Sequence, residues 1–467
     1  MTDISIWWIR RDIRLQDNHA LISAVENSDQ LIPLFILEPQ LMVDAAPKRR
    51  AFLLQALSDL DQQLQMLGTR LILRQGPARS AFEKLAGEFE ICRVLAHEDY
   101  SPFSRQRDQA IAQILPLHLL RGITYHPPQE ILKDDGDPYV VFTPYKNKWY
   151  SGLLPNPADC LPGPKVLPPL PSGITSQQLP DFVPAGDFPA TADEAQTRLE
   201  SFIGEKIRHY QSRRNFLAQD GTSQLSPYLR FGLLSAREVI TQAQMAYIQA
   251  NSTTARSEIR TWMDELVWRE FYTAILHHFP NVLEGPFRPD YKDIPWRDAP
   301  DDLLAWQNGE TGYPIVDACM RQLKQTGWMH NRGRMIAASF LTKDLLINWQ
   351  AGEDWFMKNL VDGDPAANNG GWQWSAGTGT DAAPYFRIFN PVTQGLKFDP
   401  DGEYIARWVP ELQDLPPQYR HEPWKMSKED AQGFGFTLGK QYPLPIVDHA
   451  FARQRTLAAY KSARGNP

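Results

Sequence analysis

Residues 155–189 hold ten prolines, with Gly163, Gly173 and Gly186 among them, and neither a helix nor an inner strand can run through such a stretch. Each proline lacks the N–H that both structures need, and inside a helix its ring clashes with the preceding turn. The chain is therefore cut in two, and the patterns on the two sides differ. Before the cut, short apolar runs at Ile4–Ile9, 31–37, 70–74, 92–96 and 123–126 read as buried strands. Helical stripes lie between them, such as Leu53, Leu54, Leu57, Leu60, Leu64 and Leu67. This alternation predicts an α/β domain with a parallel, Rossmann-like sheet. After the cut, amphipathic helices are expected over roughly 192–215, 235–250, 256–278, 314–326, 331–348 and 448–463. A chain of 467 residues exceeds one ordinary core. The expected division is an α/β domain over 1–130, a connector over 131–195 and an all-α domain over 196–467.

No GxGxxG follows the first strand and no GxxxxGK[ST] occurs, so a dinucleotide or nucleoside triphosphate site of those kinds is unsupported. A net charge of −7 argues against a surface that coats polyanions as a whole, while leaving room for a local basic groove. Cys92, Cys160 and Cys319 have no CxxC spacing and no accompanying His cluster, so neither a disulfide framework nor a metal site is expected. No run of 18 apolar residues occurs, and a soluble cytoplasmic chain is expected.

Residues 362–391, DGDPAANNGGWQWSAGTGTDAAPYFRIFNP, mix small residues and amides with Trp372, Trp374, Tyr385 and Phe386. Asp362, Asp364, Asn368 and Asn369 beside flat rings suit a planar polar heterocycle with attached phosphates; a buried Gly-rich connector is the plainer reading. On the expected helix around TWMDELVWREFY, Trp262, Glu265, Trp268 and Arg269 lie within a turn of each other. Glu265 there either pairs with Arg269 or a neighbouring helix, or binds substrate beside a flat base. GWMHNRGRM offers Asn331, Arg332, Arg334 and Met335 at a helix start, suited to phosphate and base contacts or to an ordinary solvated basic face. Thr222, Ser223 and Ser226 in GTSQLSPYLRFG are a diphosphate site or an N-cap.

Together WWIRRDIRLQDNHAL, GTSQLSPYLRFG, DELVWREFY, ETGYPIVDACMRQL, GWMHNRGRMIAASFLTKDLL and the 362–391 stretch resemble the photolyase and cryptochrome family. The likeness is nearest to class I cyclobutane pyrimidine dimer photolyases, and it runs in order over essentially the whole chain. It implies an N-terminal α/β antenna domain and an all-α domain that holds FAD in a U shape. By position, Tyr210, Thr222, Ser223, Gln224, Leu225 and Ser226 would meet the ribityl and diphosphate part. Trp262, Arg334, Asp362, Gly363, Asp364 and Asn368 would surround the ring and adenine. Asn368 matches the place opposite flavin N5, where plant cryptochromes have Asp and insect ones Cys.

The resemblance further implies that Glu265, Trp268, Asn331, Arg332, Met335 and Trp374 form the lesion pocket. In it Trp268 and Trp374 would stack on the flipped dimer and Glu265 would hydrogen-bond its 3′ base. Arg214 and Arg332 would contact flanking phosphates. Trp296, Trp349 and Trp372 match the hopping chain by which light reduces oxidised FAD. Photolyases for the (6-4) photoproduct have His at the places of Asn331 and Met335, so the cyclobutane dimer is the expected lesion. A cryptochrome-type photoreceptor is the competing function; Asn368, the lesion set and the short stretch after the last expected helix favour repair. Activity mainly on single-stranded DNA is a third reading. UV-damaged DNA is the expected partner, with nucleoid association when bound and a monomer as the default state. Folate-binding members have Asn-Glu after the fourth strand where this chain has Phe103 and Ser104. The expected antenna is thus 8-hydroxy-5-deazaflavin, then methenyltetrahydrofolate or none, with Arg11, Phe35 and Asp99 as candidate contacts.

Overall fold

The computed structural model describes residues 2–43, 46–184 and 186–463. Its packing forms two units that each draw on separated segments. The first comprises 1–211, 223–280 and 361–366, and the second 212–222, 281–360 and 367–467. Packing thus groups the chain differently from the partition suggested by proline content.

In the first unit five strands, β1 (Ile4–Ile9), β2 (Gln30–Leu37), β3 (Ile72–Gln75), β4 (Ile91–His97) and β5 (Leu117–Leu120), form a parallel sheet ordered β3-β2-β1-β4-β5. Every residue of β1 is buried, as an inner strand covered on both faces requires, which is why it reads as an unbroken apolar run. Helices α1 (His19–Glu26), α2 (Pro47–Met66), α3 (Ala78–Glu88) and α4 (Pro102–Ala112) make the crossovers. Asn18 caps α1 and Ser101 caps α4 through their side chains. The strand order reverses between β1 and β4. Residues 10–12 and 98–101 follow their carboxyl ends, the region of open parallel sheets where ligands commonly bind.

Two local expectations are corrected. The fifth strand is Leu117–Leu120, not 123–126. The backbone N–H groups of Tyr125 and His126 instead donate to the Glu270 carboxylate, and Trp149 Nε1 donates to the same group at 2.7 Å. A helix, α5 (Phe142–Ser151), also lies within what composition marked as connector. The unit is completed by α6 (Ala192–Gly204), α7 (Ser226–Phe231), α8 (Ala236–Gln249) and α9 (Thr253–His278).

The second unit is helical among its described residues: α10 (Pro300–Asn308), α11 (Pro314–Thr326), α12 (Asn331–Ser339), α13 (Trp349–Asn359), most of α14 (Pro365–Ala376), α15 (Pro391–Phe398) and α16 (His449–Ala463), with shorter turns between. The helix expected over 331–348 ends at Ser339 and passes into a π-helical segment, Phe340–Asp344. The core gathers Trp306, Phe340, Trp349, Phe356, Trp372 and Tyr404. No helix among the described residues is long and apolar enough to cross a membrane.

Candidate active site

The residues implied for the site fall in both units. In the first, α7 has Leu225 as its N-cap, and that side chain makes no capping bond. The cap position is thus held by Leu225 and not by Thr222, Ser223 or Ser226. Gln224, just before it, has φ +52°. A non-glycine residue in the left-handed region carries strain of order 1 kcal/mol, and such strain persists where the surroundings impose it, often at ligand sites. Gln224 Oε1 accepts from Arg198 Nη1 at 3.3 Å, while Tyr210 is buried and sits edge-on to Phe202.

Helix α9 buries Trp262 against Phe202, ring centroids 4.9 Å apart, and leaves Glu265 and Trp268 half-buried. Trp268 stacks on Phe142 of α5. Arg269 spends its guanidinium on the carbonyls of Ile123 (3.0 Å) and Leu229 (3.4 Å).

The segment Val361–Ala366 belongs to the first unit. Asp364 Oδ2 takes a 2.7 Å ion pair from Arg11 Nη2, and Arg230 Nε donates to Gly363 O at 2.8 Å while lying 3.7 Å from Asp364. Burial and the Arg11 charge pull the Arg230 pKa down to about 9. Arg11 Nη1 is also 3.8 Å from Asp99. The loop after β1 thus holds the loop expected to touch FAD through alternating charges, Asp99, Arg11, Asp364 and Arg230. Toward the carboxyl end of the same sheet Phe35 is buried on β2, Arg10 Nη1 donates to both carboxylate oxygens of Asp108, and the Arg107 guanidinium lies over the rings of Trp8 and Phe103.

In the second unit, Asn368 donates Nδ2 to Glu353 O at 2.9 Å, which leaves Oδ1 as its acceptor. Asn369 Nδ2 donates to Val282 O and to Glu353 Oε1, and Gln373 Nε2 reaches the carbonyls of Val282 and Gly285. These bonds fix α14 in spite of Gly370 and Gly371 in its interior, each of which costs about 1 kcal/mol relative to Ala. Burial pushes the Glu353 carboxyl up to about 7, and the Asn369 bond opposes that shift. Its folded pKa lies above its unfolded value of about 4.3, so Glu353 subtracts from stability as pH rises from the lower value through the higher one. Glu353→Gln keeps an acceptor for Asn369 and has no charge to bury. Its melting temperature, measured beside the parent's, is expected to gain more at about pH 8 than at about pH 5.

Trp372 is buried, ring centroids 4.9 Å from Phe356 and 6.0 Å from Trp306, and its Nε1 has no hydrogen-bond partner. A Cβ on Gly352 would come 2.1 Å from the indole, so α13 must carry glycine where Trp372 packs. Trp349, at the start of α13, is buried in the same core. Trp296 is half-buried, packs on that core and meets Tyr460 edge-on at 6.0 Å.

His330 caps α12 by accepting Arg332 N at 3.1 Å, and burial lowers its pKa to about 4, so it is neutral. Asn331 is exposed; Arg332, Arg334 and Met335 are half-buried, with Arg334 Nε donating to Met329 O at 2.8 Å. Arg332 donates to Asn215 Oδ1 at 2.6 Å and covers the Phe398 ring. Burial, then the charges of Arg214 and Arg387, bring its pKa down to about 10. These three arginines form a basic cluster, and the Arg387 guanidinium also lies 6.0 Å from the Trp374 centroid. Thr222 and Trp374, both half-buried, belong to this unit as well. Arg230 and Arg387 were not among the expected site residues although both lie inside the family motifs. Glu353 carried no signal, because its role comes from residues a helix away. Among the described residues no group of three or more His, Cys, Asp or Glu is placed to hold a metal ion.

Residues 5–165 match the family model described as DNA photolyase, and residues 262–462 match the one described as FAD binding domain of DNA photolyase. A deoxyribodipyrimidine photo-lyase of Synechococcus is 42% identical, covering 98% of this chain and 96% of that protein. The crystal structure of a class III photolyase from Agrobacterium tumefaciens superposes with a TM-score of 0.93 at 39% identity, covering 99% of this chain and 98% of that one. A Synechocystis cryptochrome superposes with a TM-score of 0.87 at 27% identity, covering 98% and 99%.

Proposed function

Since the chain belongs to the DNA photolyase family, we propose that it is a deoxyribodipyrimidine photo-lyase, a carbon–carbon lyase that repairs cyclobutane pyrimidine dimers in DNA by light-driven electron transfer. The observation that carries this reading is the lesion set: Glu265 and Trp268 half-buried on α9, and Asn331, Met335 and Trp374 in the second unit, with no His at the two positions that the (6-4) chemistry uses.

FAD fits the residues present. The left-handed turn at Gln224, the clamped Gly363–Asp364 and the free acceptor of Asn368 suit a diphosphate, a polar ring edge and an N–H respectively. When bound, reduced and excited, FAD supplies one electron to the dimer and receives it back after the ring has opened. The residues of the chain bind, orient and exclude water. Asn368, whose amide is oriented by its Nδ2 bond to the Glu353 carbonyl, would offer Oδ1 as the acceptor for the N–H at flavin N5. Trp268 and Trp374 offer flat faces to the dimer, and Glu265 hydrogen-bonds the 3′ base as negative charge develops on it. Arg214, Arg332 and Arg387 take the backbone phosphates, a salt-sensitive contact. A dimer is already poorly stacked and paired, so moving it out of the duplex costs less than moving an intact base, which favours the lesion. Trp296, Trp349 and Trp372 serve activation of the oxidised enzyme.

The region at the carboxyl ends of β1 and β4 is the proposed antenna site, and 8-hydroxy-5-deazaflavin is its proposed occupant, with Phe35, Asp99 and Phe103 as candidate contacts. Arg11, already paired with Asp364 and Asp99, serves both this site and the FAD loop.

The test reduces the FAD-loaded protein, adds an oligonucleotide with one thymine cyclobutane dimer and follows dimer loss in blue light and in darkness. Loss in light alone is expected. No loss with reduced FAD bound overturns the reading, and the same assay on a (6-4) lesion then decides between the other photolyase chemistry and a photoreceptor. Extraction of the second chromophore tests the antenna: folate in place of deazaflavin rejects that assignment.

A further inference from the structure

Trp268 is held from behind. Its indole lies face to face with the Phe142 ring, centroids 3.6 Å apart and planes 7° from parallel. Aromatic pairs left to themselves prefer offset or edge-on arrangements, because two π faces directly opposed repel. A centred stack at van der Waals distance is therefore imposed by its surroundings, and those are visible. Helix α5, which begins with Phe142, is fastened to α9 at three places. Lys146 Nζ meets Asp264 Oδ2 at 2.8 Å, Tyr150 OH donates to Asp264 Oδ1 at 3.1 Å, and Trp149 Nε1 donates to Glu270 Oε2 at 2.7 Å. Asp264 lies one helical turn before Trp268, and Lys146 one turn after Phe142. The ion pair and the ring stack are thus successive rungs between the same two helices. Phe271 closes the side of the pair, edge-on to both rings at 5.8 and 5.6 Å. Phe142 is buried, whereas Trp268 keeps part of its surface open.

We propose that Phe142 is a positioning residue for the lesion: by covering one face of Trp268 it fixes the indole plane as a platform whose other face takes the flipped dimer. The proposal rests on Trp268 being a dimer-stacking residue, as given under Proposed function. An indole free to change rotamer must be ordered when the base arrives, and that ordering weakens binding; a pre-set indole avoids it. The gain applies to the flipped lesion only, since an intact base stays in its stack and never reaches the platform.

The test uses the FAD-loaded holoenzyme and measures dissociation constants for dimer-containing and undamaged duplexes, together with FAD content and repair at saturating DNA. In Phe142→Leu, binding to the dimer duplex is expected to weaken roughly two- to tenfold. Undamaged-duplex affinity, FAD content and repair at saturation should stay at the parent's values. Phe142→Tyr restores the lesion affinity, because it keeps the flat face. In a Trp268→Leu background, Phe142→Leu adds nothing further, since it acts through the indole. Should Phe142→Leu fail to fold, Phe142→Met keeps a similar volume without a flat face and is read in the same way. Equal loss of affinity for both duplexes, full lesion affinity in Phe142→Leu, or an additive effect in the Trp268→Leu background each overturns the proposal. Unchanged lesion binding by Trp268→Leu itself overturns the stacking role of Trp268 and the proposal with it; a weakened Trp268→Leu beside a normal Phe142→Leu overturns the proposal alone.

Discussion

The Trp372→Phe protein is expected to lose light-driven reduction of oxidised FAD, by on the order of a hundredfold in rate, while repair by chemically reduced enzyme stays within about twofold of the parent. The size follows from ring chemistry: an indole gives up an electron readily and a phenyl ring does not, so the substitution removes the proposed first donor while keeping a flat apolar filler. Fold disruption does not confound the result. Trp372 Nε1 has no hydrogen-bond partner to strand, and the neighbouring Phe356 and Trp306 rings meet the indole edge-on, an arrangement that a phenyl ring also sustains. Trp349 lies in the same core, and Trp296 packs on it with part of its surface in solvent. Exposure thus rises toward Trp296, the direction in which a positive hole is stabilised by water. The measurement is the absorbance of oxidised FAD under blue light with an external reductant, against the parent. A parent-like rate would move the first donor elsewhere, and Trp306, the other indole beside Trp372, would be the next position to change.

How far these features could be read from the sequence depended on whether their causes are local. The sheet was legible because its inner strands are covered on both faces and show it as uninterrupted apolar runs. The fifth strand was not: Leu117–Leu120 is half-buried to exposed, so its pattern is weak, while 123–126 looks like a strand and is a loop tied to Glu270, 145 positions away from Tyr125. Helix α14 was hidden by Gly370 and Gly371, which local propensity places outside helices; anchoring by Asn369 and Gln373 to the carbonyls of Val282 and Gly285 overrides that propensity. In the site, family motifs located Arg214 and Arg332 but carried no hint that Arg387 joins them, since the grouping arises from packing. The Arg11–Asp364 pair spans 353 positions. It joins a residue assigned to the antenna with one assigned to FAD, a link that no window of sequence displays. Phe142 behind Trp268 is of the same kind: composition put it in a connector, and only the docking of α5 on α9 gives it a role.

Glu265→Ala is expected to bind FAD as the parent does and to repair poorly, with a yield lower by up to about tenfold. A hydrogen bond to a charged group is worth about 1.5–3 kcal/mol, and each 1.36 kcal/mol in a barrier is a factor of about ten in rate. The dimer becomes an anion for the interval between electron arrival and ring opening. During that interval splitting competes with return of the electron. Only the protonated Glu265 carboxyl can donate to the 3′ base; a donor there holds the charge where the bond must break, so its loss shifts the competition toward return. Glu265 lies half-buried between Trp262 and Trp268 on α9, beside the indole proposed to stack on the dimer. Glu265→Gln, which keeps an N–H donor of similar length, should recover much of the yield, whereas a purely electrostatic or packing role would group Gln with Ala or with the parent. The decisive quantity is the number of dimers repaired per photon absorbed by fully reduced enzyme at saturating DNA, where differences in lesion affinity no longer count. If Glu265→Ala repairs at the parent's yield under those conditions, Glu265 is a binding residue at most, and stabilisation of the dimer anion must come from other groups of the lesion set.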